Sequence, residues 1–148
     1  MLEALLGVTV IAAAIGLGGG LYEFSVLDPC WPKRLDLIQP EKGGVSRRHF
    51  WISAHIVFEV LLVLSLVFTW RQSDVRTFLL VAFASHALMR IWSAFDFIPK
   101  ALAFEKAQPS EAIAEDALTW TRRSRLRFPF DLLTCGTSMS ALLVLVKS

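Results

Sequence analysis

The chain has 148 residues, 55% of them hydrophobic and 19% charged, with a formal charge of +2. That apolar share, with a mean hydropathy of +0.55, exceeds what a soluble domain of this size carries and excludes a disordered, highly charged or nucleic-acid-binding chain. Two cysteines, Cys30 and Cys135, have no CxxC or metal-finger spacing, so they read as free thiols and not as a redox motif or zinc site.

The apolar residues fall into four segments, 5–27, 50–70, 77–98 and 128–146. Each approaches the roughly 20 residues that a helix needs to cross about 30 Å of hydrocarbon. The expected fold is therefore all-α: one integral membrane four-helix bundle made by the whole chain, in contact with lipid.

The first segment carries Ala12, Gly16 and Gly20 at four-residue spacing. Small residues so placed let helices approach closely in lipid, against a neighbour or against a second copy in a homo-oligomer. No basic region precedes this run and no small-residue cleavage site is evident, so it reads as a retained span and not a signal peptide. Glu23 lies near the same helical line and is expected to face the helices that the glycines admit. A glutamate reaching water at the membrane edge is the plainer alternative.

Residues 28–49, DPCWPKRLDLIQPEKGGVSRRH, contain three prolines and a Gly-Gly pair and predict an irregular connection or a short re-entrant lid. Trp31 is expected to anchor it at the headgroup level, and Arg47, Arg48 and His49 to anchor the start of the second span.

The second segment places His55 and Glu59 one helical turn apart within an apolar run. Ionisable groups inside a span default to facing a protein interior or a watery cavity. A short polar turn leads to the third segment, whose His86 and Arg90 are again four apart, with Ser93 on the same face and Trp92 beside them. Arg90 keeps its charge in any environment. Asp96, near the end of this helix, reads as a surface residue.

Residues 99–127 run from acidic to basic, which suits a helix macrodipole. They predict an amphipathic helix over about 110–124 lying on the membrane surface, with Ile113, Ala117 and Trp120 on one face. A solvated helical loop is the alternative. The last span opens with Phe128-Pro129-Phe130 and places Asp131 just inside the bilayer, with Thr134 and Ser138 extending a polar stripe. An aspartate there serves either the free amides of the helix start or a site.

Eleven of the Lys and Arg residues lie in the two long connections: Lys33, Arg34, Lys42, Arg47, Arg48, Lys100, Lys106, Arg122, Arg123, Arg125 and Arg127. The positive-inside rule then makes those connections cytoplasmic and turns both termini outward, as in a bacterial inner-membrane protein. Counted from that face at about 1.5 Å per residue, Glu23 and Asp131 lie roughly 5 Å deep, His55 roughly 8 Å, Glu59 and Arg90 roughly 12 to 14 Å, and His86 roughly 18 Å. All six occupy one membrane half and are expected to enclose a pocket opening toward the two connections, with Glu59 and Arg90 as an ion pair.

That pocket supports several readings. In the acid-base reading His55, Glu59 and Arg90 are catalytic: His55, tuned by Glu59, is the base, and Arg90 holds the resulting anion. Glu23, His86, Trp92 and Asp131 then line the site for a small hydrophobic substrate or ligand. If a metal is present, its candidate ligands are His55, Glu59 and His86, although the spacing is neither HExxH nor the Glu-x-x-His of di-iron bundles. Bis-histidine haem ligation is disfavoured by a depth difference of roughly 10 Å. The non-catalytic readings are a helix-packing subunit, a carrier of lipophilic ligands, or a polar core that only specifies packing. The residues by themselves identify no cofactor.

The segment GGGLYEFSVLDPCW from Gly18 to Trp31, and GGVSRRHFW from Gly43 to Trp51 before the second span, resemble the anthrone-oxygenase-like family of small four-span bacterial membrane proteins. The resemblance implies an oxidoreductase that performs cofactor-independent oxygenation of a polyketide-like aromatic. It brings no catalytic motif that maps onto numbered positions here.

Overall fold

The computed structural model describes residues 1–147, which form an all-α four-helix bundle with a small helical cap at one end. α1 spans Leu2–Tyr22 and runs into a π-helical turn, Glu23–Leu27. α2 is Arg47–Phe68 and α3 is Ser73–Trp92. A second π-helical turn, Ser93–Phe97, links α3 to α4, Ile98–Lys106. α5, Glu111–Ser124, passes through a 3-10 turn at Arg125–Arg127 into α6, Phe128–Lys147.

Four helical runs are long and apolar enough to cross a membrane: Leu2–Leu27, Arg47–Phe68, Ser73–Lys106 and Glu111–Lys147. Their outward residues are aliphatic, including Ile11, Ile15, Ile56, Val60, Val67 and Leu88. Such a surface is stable only against lipid, so the chain is an integral membrane protein. Leu6, Phe58, Leu62, Leu79, Ala82 and Ala141 fill the bundle centre. Hydroxyls tie neighbouring helices there: Thr9 and Ser65 share a 2.8 Å hydrogen bond between α1 and α2, and Ser85 donates to the Phe130 carbonyl at 3.0 Å between α3 and α6. α3 packs closely on α6, α6 on α1 and α1 on α2, while the α2–α3 seam is the loosest of the four.

The third and fourth helical runs overshoot the expected spans. At about 1.5 Å per residue, the 34 residues of Ser73–Lys106 reach roughly 50 Å, well beyond about 30 Å of hydrocarbon. The excess projects into the cap. The π-helical turn falls just before Pro99, which has no amide proton to continue the ladder, so the helix widens there without ending.

The cap has a core of its own, in which Trp31, Leu35, Ile38, Phe97, Phe104, Ala117 and Trp120 are buried together. Several of its polar groups are served internally, while Gln39 Oε1 and Arg47 Nη2 are buried without a partner among the described residues. Trp31 Nε1 donates to Asp28 at 2.9 Å, Trp120 Nε1 donates to the Phe97 carbonyl at 3.2 Å, and Gln39 Nε2 donates to the Phe104 and Ala107 carbonyls. Asp96, expected on the surface, holds Lys100 at 3.5 Å and also Arg123, joining α4 to α5. Ser110 caps α5 by accepting the Ile113 amide. The connection from Asp28 to Ser46 is neither re-entrant nor shapeless: three short 3-10 turns place Trp31, Leu35 and Ile38 inward. Gly44 closes it, because a side chain there would strike the Asp36 carbonyl and the Gln39 amide.

Three surface expectations are corrected by this core. Trp31 is fully buried, not seated among headgroups. The Ala117–Trp120 face of α5 covers the 3-10 turns and α4, not the membrane, since apolar side chains of the same chain were within reach. Arg47 stacks over Trp31 and Trp120 at 5.2 and 5.5 Å, while Arg48 reaches Glu105 at 3.1 Å and His49 stays exposed.

The small-residue face of α1 is also used within the chain. Ala12 and Gly16 line a small, partly open cavity, Gly19 receives the Phe50 ring, and Gly20 faces Trp51 and Asp131. A residue without a side chain is what lets α2 aromatics reach that deep.

Candidate functional site

The ionisable residues of the spans meet on the cap side of the bundle as a connected series. Glu23, at the end of α1, accepts a 2.7 Å hydrogen bond from Trp51 Nε1 of α2. The Trp51 ring stacks on His55 one turn later, with centroids 5.3 Å apart. His55 lies against His86 of α3, ring to ring at 5.5 Å. His86 Nε2 is 3.2 Å from Glu59 Oε1, and that same oxygen accepts from Arg90 Nε at 3.0 Å.

Periodicity explains why these side chains converge. Trp51, His55 and Glu59 are successive i, i+4 positions on α2, and His86 and Arg90 are such a pair on α3, so each set forms one stripe. The stripes face one another across the loose α2–α3 seam. The wider gap there accommodates ring and guanidinium groups that a close-packed helix pair would exclude.

A cavity of about 20 Å³ adjoins the series and is lined by Gly16, Trp51, His55, His86, Asp131 and Thr134 among others. That volume holds about one water molecule. Thr134 is 4% exposed, and its Oγ1 is buried with no hydrogen-bond partner among the described residues. His55 makes ring contacts but no hydrogen bond among those residues. A half-buried imidazole without a hydrogen bond and a buried hydroxyl without a partner thus border the same small space. Leaving such a hydroxyl unpartnered ordinarily costs about 1–3 kcal/mol unless something polar occupies the space.

On the lipid side, a groove of about 400 Å³ runs between α1 and α2, lined by Ile15, His49, Phe50, Ser53 and Val57 together with Ala12 and Ala54. The last two residues also line the inner cavity. Two alanine methyl groups therefore stand between the groove and the polar interior.

Several sequence expectations change here. The expected Glu59–Arg90 pair is present, but Glu59 engages His86 and not His55. The two histidine rings are in contact, against an expected depth difference of roughly 10 Å. That count began at Ile98, whereas α3 already leaves the bundle for the cap at Ser93–Phe97, which brings His86 nearer the boundary. Ring contact and the cavity volume together leave no room for a haem between them. Trp92 is not brought to the cavity: it packs edge-on against Phe97 and Phe130 below the cap. Asp131 serves no free helix-start amides, because the backbone is already helical through Arg125–Arg127. It lines the cavity instead.

Two participants lay outside the expected set. Trp51 bridges Glu23 and His55, and its position one turn before His55 was the available signal. Arg127 lies over Phe97 at 4.5 Å, donates to Ser93 Oγ at 3.1 Å and acts electrostatically on Asp131, Glu23 and Asp28. No periodicity in the sequence separates it from the other arginines of its connection.

No family model, curated protein or solved structure matches this chain.

Proposed function

We propose that the protein is an oxygenase-like oxidoreductase acting on a small hydrophobic molecule that reaches it from the bilayer. The observation that carries this reading is the meeting of two imidazoles, a carboxylate and a guanidinium beside a cavity that two alanines separate from a lipid-facing groove. The groove has the size of a small-molecule site, at the lower end of the ordinary range of roughly 300–1,000 Å³. The resemblance of Gly18–Trp31 and Gly43–Trp51 to anthrone-oxygenase-like proteins points to a polyketide-like aromatic as the substrate.

In this mechanism a substrate methylene flanked by aromatic rings presents its C–H between Ala12 and Ala54. His55, which has no competing hydrogen bond, takes the proton. The Glu59–Arg90 pair holds His86 behind it, and Arg90 supplies positive charge that offsets the carbanion. Molecular oxygen is the oxidant: it takes up the carbanion's electron pair, and the resulting hydroperoxide gains the proton back from His55 and loses water. CH2 and O2 become C=O and H2O. The distribution of Lys and Arg supports a cap in the cytoplasm and both termini outside, and the family resemblance supports a bacterial inner-membrane location.

The second reading is a non-catalytic module that carries lipophilic ligands, favoured by the mismatch between a groove of about 400 Å³ and a cavity of only about 20 Å³ beside the ionisable residues. Oxygen uptake by the detergent-purified chain with an anthrone-type aromatic separates the two. The oxygenase reading expects substrate-dependent uptake that falls about 10²–10⁴-fold in His55→Ala while helical content is kept. Equal turnover in wild type and His55→Ala removes His55 as base, and bound aromatic without uptake assigns the protein to the carriers.

A further inference from the structure

We propose that His55, Glu59 and His86 form a binding site for one divalent transition-metal ion, completed by water in the adjoining cavity. One ligand atom from each residue lies within 4.8 Å of the others. Ligands on a shared ion, each at about 2.0–2.2 Å, stand roughly 3.0–3.5 Å apart. The His86–Glu59 pair, at 3.2 Å, is already at that separation. His55 needs to rotate inward by roughly 1 Å, and no hydrogen bond among the described residues restrains it.

A further observation points to an ion with a bound water. The buried Thr134 hydroxyl without a partner borders the same one-water cavity as His55, His86 and Asp131, so a water held on the ion finds both a hydroxyl and a carboxylate to bond.

The donor set selects the class of ion. Two imidazole nitrogens with one carboxylate oxygen and open positions suit iron(II) or zinc(II), while magnesium and calcium prefer all-oxygen sites. Arg90 now holds the same Glu59 oxygen that faces His86, so ion binding shifts the guanidinium to the other carboxylate oxygen, where it fixes the carboxylate as outer partners of metal ligands commonly do. The inference goes beyond the oxygenase reading, since ion binding belongs to the ligand set whatever the reaction. With an ion bound, His55 is a ligand and the cavity water becomes the proton acceptor.

The test is titration of the metal-stripped full chain in mild detergent with cobalt(II) alone, followed by its visible absorption, with magnesium(II) as control. Expected are one cobalt(II) per chain, no response to magnesium(II), and affinity weakened by about tenfold or more in both His55→Ala and His86→Ala. His55→Ala breaks no hydrogen bond and keeps the comparison valid if His86→Ala fails to fold. No stoichiometric cobalt(II) in wild type, or unchanged affinity in His55→Ala, overturns the site. Turnover lost in His55→Ala without metal binding leaves the acid-base oxygenase standing and removes the ion. Metal binding without oxygen uptake does the reverse.

Discussion

The cap and the α2–α3 seam both bury charge among aromatic rings, yet they treat it differently. In the cap, Arg47 lies over two indoles, both buried tryptophan N–H groups have acceptors, and Gln39 bonds two carbonyls across to α4. In the seam, Thr134 Oγ1 is buried without a partner beside a small cavity and His55 makes ring contacts only. The cap also keeps two buried polar atoms without a partner among the described residues, Gln39 Oε1 and Arg47 Nη2, but neither residue lines that cavity. A buried polar atom without a partner calls for an occupant where space adjoins it. What differs is the adjoining space: the unpartnered hydroxyl of the seam borders a cavity that holds about one water, together with His55 and His86, which makes the seam the candidate site.

The largest expected effect breaks the cap. Trp31→Ala removes a fully buried indole that touches Phe104 and Trp120 and is expected to cost about 3–5 kcal/mol. Denaturant unfolding in detergent checks this. Cobalt(II) affinity, measured in variant that remains folded, should stay near the wild-type value. An equal loss of ion binding would show that the two regions are one unit.

A smaller effect tests the seam. Glu59→Ala strands Arg90 among apolar helices and is expected to destabilise by about 3 kcal/mol, the low end for a broken buried pair because the pair is partly open at the seam. Glu59→Ala with Arg90→Ala should recover much of that loss in thermal unfolding, since no charge is then left alone. A double variant as unstable as the single one would mean that packing, not charge, sets the cost.

The smallest effect concerns pH and the cap. Burial is the main cause that raises the Asp28 carboxyl above its ordinary value of 3.8, opposed by the hydrogen bond from Trp31. A carboxyl raised in the folded state favours folding fully below its unfolded value, and that contribution is lost as pH rises through the folded value. Cap stability should therefore fall slightly from acid toward neutral pH. Asp28→Asn keeps an acceptor for Trp31, abolishes that fall and gains up to about 1 kcal/mol at neutral pH. Tryptophan fluorescence during unfolding at several pH values reads it, and a parallel pH profile in the variant would assign the dependence to another group.

Parts of this arrangement were legible in the chain. Hydropathy alone marks the four spans, because roughly 20 apolar residues in a row have few other stable destinations. The i, i+4 pairs His55/Glu59 and His86/Arg90 were readable as inward-facing, and equal depth was enough to join Glu59 to Arg90. The partner of His86 was not legible, since depth counts carry an error of about a turn and α3 continues past its expected end into the cap. Trp31, Arg47 and Trp120 were read as interfacial anchors because an aromatic or basic residue beside a span has the same local signature whether it meets headgroups or another part of the chain.

The sequence by itself determined that the protein is helical, crosses a membrane four times and carries ionisable side chains on its inward faces. These are local properties, set by residue type and helical period. Only the tertiary structure decided that two connections fold into an aromatic cap, that the glycines of α1 admit Trp51 and Phe50, and that His55, His86 and Thr134 border one cavity. Those outcomes depend on which helices lie side by side and how closely, and packing across distant segments leaves no periodic trace along the chain.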